Sequence, residues 1–130
     1  MAIFDLDKIK SNKSAAADYS AQARYSLLKD HSTAGQLIVA TAKTDDPCGV
    51  LWNSPDSGDG IEWMPLVNGE EVPVIVSGNL ALGNEVCATT AGKVQLNDAT
   101  AGNCVLGTLT SEPTADLQIA TMRVSKRTQE

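Results

Sequence analysis

Asp30, His31 and Ser32 are the three side chains of a hydrolytic triad written side by side. In a working triad the imidazole takes the serine proton and the carboxylate orients the imidazole, a geometry defined in space that adjacency in the chain does not supply. His31 is the single histidine, and it reads as a solvated loop side chain. Asp56-Ser57-Gly58-Asp59-Gly60 is rich in oxygen donors. It lacks the spaced acidic ligands and closing Glu of a calcium loop, so it reads as a polar turn. Cys48, Cys87 and Cys104 are odd in number and show no CxxC spacing. That pattern suits neither a disulfide framework nor a zinc site, and three reduced, half-buried thiols are expected. The glycines of Gly78-Asn79-Leu80-Ala81-Leu82-Gly83 are wrongly spaced for a dinucleotide fingerprint and follow no βα pattern. No nucleophile is matched to a base. The expectation is a protein that is not an enzyme, with no catalytic, metal-binding or cofactor-binding residues and no cofactor.

The elements around these residues point to β-structure. Val72-Pro73-Val74-Ile75-Val76 is β-branched and apolar, which suits a pleated, buried surface. Pro73 removes a ladder donor and places this strand at a sheet edge or at its own start. Gly78 and Gly83 mark sharp turns, and Glu85-Val86-Cys87 resumes the strand pattern. From Gly35 onward short strands alternate with turn signals. Strands are expected over 36–42, 48–52, 61–66, 93–96 and 103–109, with the Asn68-Gly69 hairpin signal between two of them. Gly107 inside its strand suggests a bulge. Leu117 to Val124 alternates, with Ile119 on one face and Met122 and Val124 on the other. Neither face is wholly polar. Trp52 and Trp63 flank the acidic loop and read either as core or as a contact patch on a partner. Trp63, Ile119, Met122 and Val124 are the candidate contacts with further copies of the chain or with another partner.

Residues 1–33 have a different texture, with no Gly or Pro. Ser14 to Leu28 could form a helix with Ser14 as its N-cap, although its apolar stripe is narrow. Ile3, Phe4, Leu6 and Ile9 form an apolar front, with Lys8, Lys10 and Lys13 among and after them. The segment reads either as a frayed leader or as an arm that orders on a partner. In the second reading these seven residues are the partner contacts, and deleting residues 1–13 leaves the body's stability nearly unchanged. The expected organisation is an N-terminal arm (1–33), a small β-barrel (34–124) and a C-terminal tail (125–130). The fold class is all-β, a small barrel with an extended or partly helical arm.

Charge is unevenly spread. Residues 1–29 carry +2, residues 30–122 carry −10 and residues 123–130 carry +2, giving −6 for the chain. An acidic body repels nucleic-acid phosphates and anionic lipid, so neither nucleic acid nor membrane is an expected partner. The basic termini could reach an acidic protein surface. Met1 to Asp7 lacks the pattern of a signal peptide, and a chain made and kept soluble in a cytoplasm is expected.

From about Gly35 to Val124 the order of elements resembles the tailed-phage capsid decoration (cement) proteins, whose lambda-type members have β-clip folds. The likeness lies in the step from Val74 to Val86 through Leu82-Gly83-Asn84-Glu85-Val86, and in the turn Gly92-Lys93-Val94. It continues through Val105-Leu106-Gly107-Thr108-Leu109 and the last alternating strand. The long leader departs from that pattern. The resemblance implies a β-clip or β-tulip-like barrel and a homotrimer on the outer face of an expanded phage head. There it would bridge neighbouring major capsid protein subunits, so the implied partners are that protein and its own copies. A tail, baseplate or receptor-binding β-module is the alternative.

Overall fold

The computed structural model describes residues 6–113 and 118–130. Its strands are β1 (Lys10–Ala15), β2 (Leu27–Asp30), β3 (Gln36–Val39), β4 (Gly49–Leu51), β5 (Gly60–Pro65), β6 (Glu71–Ile75), β7 (Glu85–Ala88), β8 (Val94–Leu96), β9 (Cys104–Leu109) and β10 (Ile119–Thr128). Helical structure among the described residues is confined to two 3-10 turns, Leu6–Lys8 and Thr90–Gly92. The fold is all-β, as expected, but the strands make two bodies. β1-β3-β2-β4-β5 close into a barrel, and β6-β10-β9-β7-β8 form a second sheet. That sheet curls until Val76 meets Val94 in a parallel bridge, where the Ser77 N–H donates to the Val94 carbonyl at 2.8 Å.

The two bodies share a wall. Leu27, Val50 and Met64 align across β2, β4 and β5 and face the second sheet. Their chain neighbours Leu28, Leu51 and Trp63 face the barrel interior with Leu37, Val39 and Ile61. Successive side chains of a strand point to opposite faces, so a wall with a core on each side demands apolar residues in adjacent positions. Val39 and Ala40 repeat the arrangement at the end of β3. Leu27, Leu28, Val50 and Leu51 are all fully buried. Burying each such side chain is favourable by about 1.5–3 kcal/mol. Gly49 belongs to the same wall. A Cβ there would lie 2.6 Å from both the Met64 carbonyl oxygen and the Trp63 ring, so only glycine lets these strands approach.

Several sequence expectations take definite form. Pro73 does lie on an edge strand, β6. The Val76–Gln118 hydrogen bond and the pairing register put the even-numbered amides of β6 toward β10. Pro73, which has no N–H, therefore faces the open side. The bulge falls opposite Gly107 rather than in its strand, because β10 carries one extra residue between Val124 and Arg127. Asn68-Gly69 makes a tight turn, with Gly69 at φ 90° and a Glu70 N–H to Val67 carbonyl bond of 3.0 Å. It joins the two bodies instead of closing a hairpin. β10 also runs through Thr128, so most of the expected tail is strand.

The expected helix over Ser14 to Leu28 does not form, and the expected arm is not separate from the barrel where it is described, since β1 and β2 are two of the barrel's strands. β1 lies between β3, to which it is parallel, and β5, to which it is antiparallel. Its sequence, Lys-Ser-Asn-Lys-Ser-Ala, has little strand preference. The open edges of β3 and β5 decide its conformation, because pairing satisfies backbone groups on both sides. Its last residue, Ala15, and Tyr19 beyond it are buried in the core, and the Tyr19 hydroxyl accepts the Val39 N–H at 3.0 Å.

Leu27→Ala and Leu28→Ala open cavities in different cores, and each is expected to cost about 2–5 kcal/mol. Because the cores share a wall, urea unfolding followed by tryptophan fluorescence and by circular dichroism should remain a single transition in both variants. Separate transitions would mean that the bodies unfold independently. Deleting residues 1–13 removes most of β1. The expected loss is several kcal/mol, lowering Tm by roughly 10 °C or more. An unchanged Tm in calorimetry would return the segment to the status of an arm.

Candidate functional site

The triad residues do not assemble. Asp30 Oδ1 accepts from Lys13 Nζ at 3.0 Å, and His31 Nδ1 accepts the Thr33 N–H at 3.1 Å. The acidic loop is stitched to the end of β1: the Gly58 N–H donates to the Ala15 carbonyl and the Ala15 N–H to that of Asp59, both at 2.9 Å. It is a polar turn. All three thiols are free. Burial, reinforced by the nearby Asp30, pushes the Cys48 thiol up to about 11. Burial, with the neighbouring Cys104, pushes Cys87 to about 11 as well. Among the described residues, no group of three His, Cys, Asp or Glu side chains is placed to hold a metal ion.

The expected contact residues do not form one surface. Lys8, Ile9 and Lys10 come together along a surface groove of about 390 Å³, lined also by Asp7, Pro65, Val67 and Glu70. Leu6 opens the 3-10 turn beside them, while Ile3 and Phe4 lie outside the described residues. Trp63, Met122 and Val124 are buried in the two cores, so packing within the chain removes them as surface contacts. The Trp63 indole N–H donates to Asn12 Oδ1 at 3.3 Å. Ile119 is half-buried on the outer face of β10. Among the described residues, the exposed large apolar side chains are instead Val67, Leu82 and Leu96, at 46%, 60% and 51% exposure.

The basic termini turn back on their own body. Among the described residues there are seven ion pairs, and six join residues 1–29 or 123–130 to the acidic middle. Lys8 pairs with Glu70 and Lys13 with Asp30. Lys29 meets Asp45 at 2.8 Å, Arg123 meets Glu71 at 2.6 Å, Lys126 meets Asp46 at 2.6 Å and Arg127 meets Glu85 at 2.9 Å. The Asp30 hydrogen bond raises the pKa of Lys13. Such exposed pairs contribute little stability individually, yet they occupy cations expected to face a partner. Lys10, Arg24 and Lys93 have no ion pair among the described residues.

Arg24 has a constructed setting that the sequence does not announce, because Ser14 to Leu28 is also compatible with a helix. It precedes Tyr25 in a β-turn, Ala23–Ser26, closed by the Ser26 N–H to the Ala23 carbonyl at 3.3 Å. The buried Ser26 hydroxyl donates to that carbonyl at 2.6 Å and accepts from Gln22 Nε2 at 2.8 Å. Tyr25 occupies the third turn position with φ 75°. That region suits Gly or Asn, and a tyrosine held there carries about 1–2 kcal/mol of strain. The Tyr25 and Trp52 rings meet edge-on, with centroids 5.1 Å apart. The Arg24 guanidinium carbon lies 5.0 Å from the Trp52 centroid and 5.3 Å from that of Tyr25. The available signal was the Arg-Tyr pair shortly before a strand.

The fold is thus an all-β structure of two bodies, a closed five-stranded barrel and a second five-stranded sheet. No family model matches the chain, and no curated protein matches it. A solved structure described as "The crystal structure of head fiber gp8.5 N base in bacteriophage phi29" superposes with a TM-score of 0.69. The match covers 94% of this chain and 98% of that one at 20% identity, a likeness of fold.

At pH 8 a thiol with a pKa near 11 is about 0.1% thiolate. Cys48 and Cys87 should react with iodoacetamide roughly two hundredfold more slowly than free cysteine, since the thiolate is the nucleophile. All three cysteines should label after unfolding without reductant. Mass spectrometry reads both outcomes, and a Cys48 or Cys87 that labels at the free-cysteine rate contradicts the burial argument.

Proposed function

We propose that the chain is a structural protein of a tailed-phage head, seated on the outer surface of the expanded capsid. The observation that carries this reading is the end-to-end match to the phage phi29 head fiber base. It spans both bodies of the fold rather than one common barrel. The match also favours a head position over the tail or baseplate alternative. In this reading the protein binds major capsid protein subunits, bridges neighbours and works without catalysis or cofactor. It takes neither nucleic acid nor membrane as partner. Binding only the expanded shell stabilises that state by mass action, and many modest contacts add up across the surface.

The protein acts as a homotrimer on the shell. With Met122 and Val124 committed to the core, the self-contact moves to Leu82 and Leu96. Leu96 ends β8, an edge strand, and Leu82 lies in the loop leading into β7, the strand that pairs with β8.

The test is sedimentation with expanded heads and, separately, with tails of the same phage, each prepared without this chain. The protein should pellet with heads and leave tails bare. Pelleting with tails, or with neither, overturns the reading. Light scattering of the Leu82→Ser, Leu96→Ser double variant should show a trimer reduced to monomers. A wild-type protein that is monomeric both free and on heads removes the trimer.

A further inference from the structure

We infer that Arg24, mounted on Tyr25 and Trp52, is the group that takes a carboxylate of the shell protein; the inference rests on the head-binding reading above. Three observations converge. Arg24 is exposed and, among the described residues, donates no hydrogen bond and forms no ion pair, although most cations of this acidic chain are paired. Its guanidinium stacks near two aromatic rings, an arrangement that restrains the side chain while leaving its planar donors available. The turn beneath it is fixed by the Ser26 hydroxyl bonds, and by Gln22 Nε2 donating to the Ala91 carbonyl of the second body at 3.1 Å. Tyr25 keeps a left-handed backbone that a glycine would adopt freely. What the tyrosine adds is its ring, and the ring holds Arg24.

The chemistry of the occupant follows from the surroundings. A preorganised guanidinium matches a carboxylate through two parallel hydrogen bonds. A polyanion such as nucleic acid is disfavoured by the net charge of −6. The guanidinium also lies close to both rings, where a sugar would otherwise stack. Arg, Tyr and Trp together are the residue types that dominate protein interfaces. A single Asp or Glu side chain on the capsid surface fits these conditions.

The experiment compares wild type with Arg24→Gln, Arg24→Lys and Lys93→Gln for affinity to expanded heads. Lys93 is an exposed cation with no ion pair among the described residues, and it controls for net charge. All four proteins should melt within about 2 °C of one another, since exposed substitutions perturb stability little. Arg24→Gln should weaken head binding tenfold or more. Arg24→Lys should lose most of that as well, because lysine keeps the charge without the fork, and Lys93→Gln should bind within twofold of wild type. If wild type binds and Arg24→Gln binds equally, the Arg24 inference falls while head binding stands. Equal losses in Arg24→Gln and Lys93→Gln overturn it in favour of general charge. A wild type that does not bind heads removes the head reading itself.

Discussion

The structure depends on a wall three strands wide with a hydrophobic core on each side. Leu27, Val50 and Met64 pack toward the second sheet while Leu28, Leu51 and Trp63 pack into the barrel. A chain of 130 residues cut into two independent bodies would leave each with a thin core. Sharing β2, β4 and β5 lets one backbone layer serve both. The arrangement also fixes how the bodies sit relative to each other, because the wall cannot turn without emptying one core.

Polar contacts reinforce that seam. Lys43, in the loop after β3, meets Asp98 of the second body at 2.8 Å, and its carbonyl accepts the Cys104 N–H at 2.8 Å. The Lys43 contact, followed by bonds from Thr100 and Asn103, holds the Asp98 carboxyl well below the usual carboxylate range. Lys126 reaches back to Asp46 and to the Pro47 carbonyl. The charge pattern along the sequence is therefore mainly an internal matter. Basic ends meet an acidic middle, and few cations remain for the outside.

The body after Gly35 was legible because its signals are local. Val72–Val76, the Asn68-Gly69 turn, Pro73 and the alternation in β10 each mark a strand, an edge or a turn within a few residues, though not what the element pairs with. What escaped was set by distant partners. Lys10–Ala15 is a strand because β3 and β5 offer edges to it, and nothing in Lys-Ser-Asn-Lys-Ser-Ala says so. Met122 and Val124 looked available because an alternating strand does not reveal how its apolar face is covered. The adjacent pairs Leu27-Leu28 and Val50-Leu51 did carry the two-core signal. In a short apolar run, however, adjacency is also what any buried strand shows. The Arg24 setting needed Trp52, just past the end of β4, to become visible.

The order in which the strands are made differs from the order in which they pair. β1 emerges first but finds its neighbours only after β5 has been synthesised, and β10, the last strand, lies inside its sheet between β6 and β9. Pairings this distant in sequence close late and slowly. A chain released early from the ribosome lacks β10, leaving β6 and β9 without the strand between them and the second core open. Folding thus acts as a length check. A fragment that stops short of β10 would be left with an open core and unpaired strand edges.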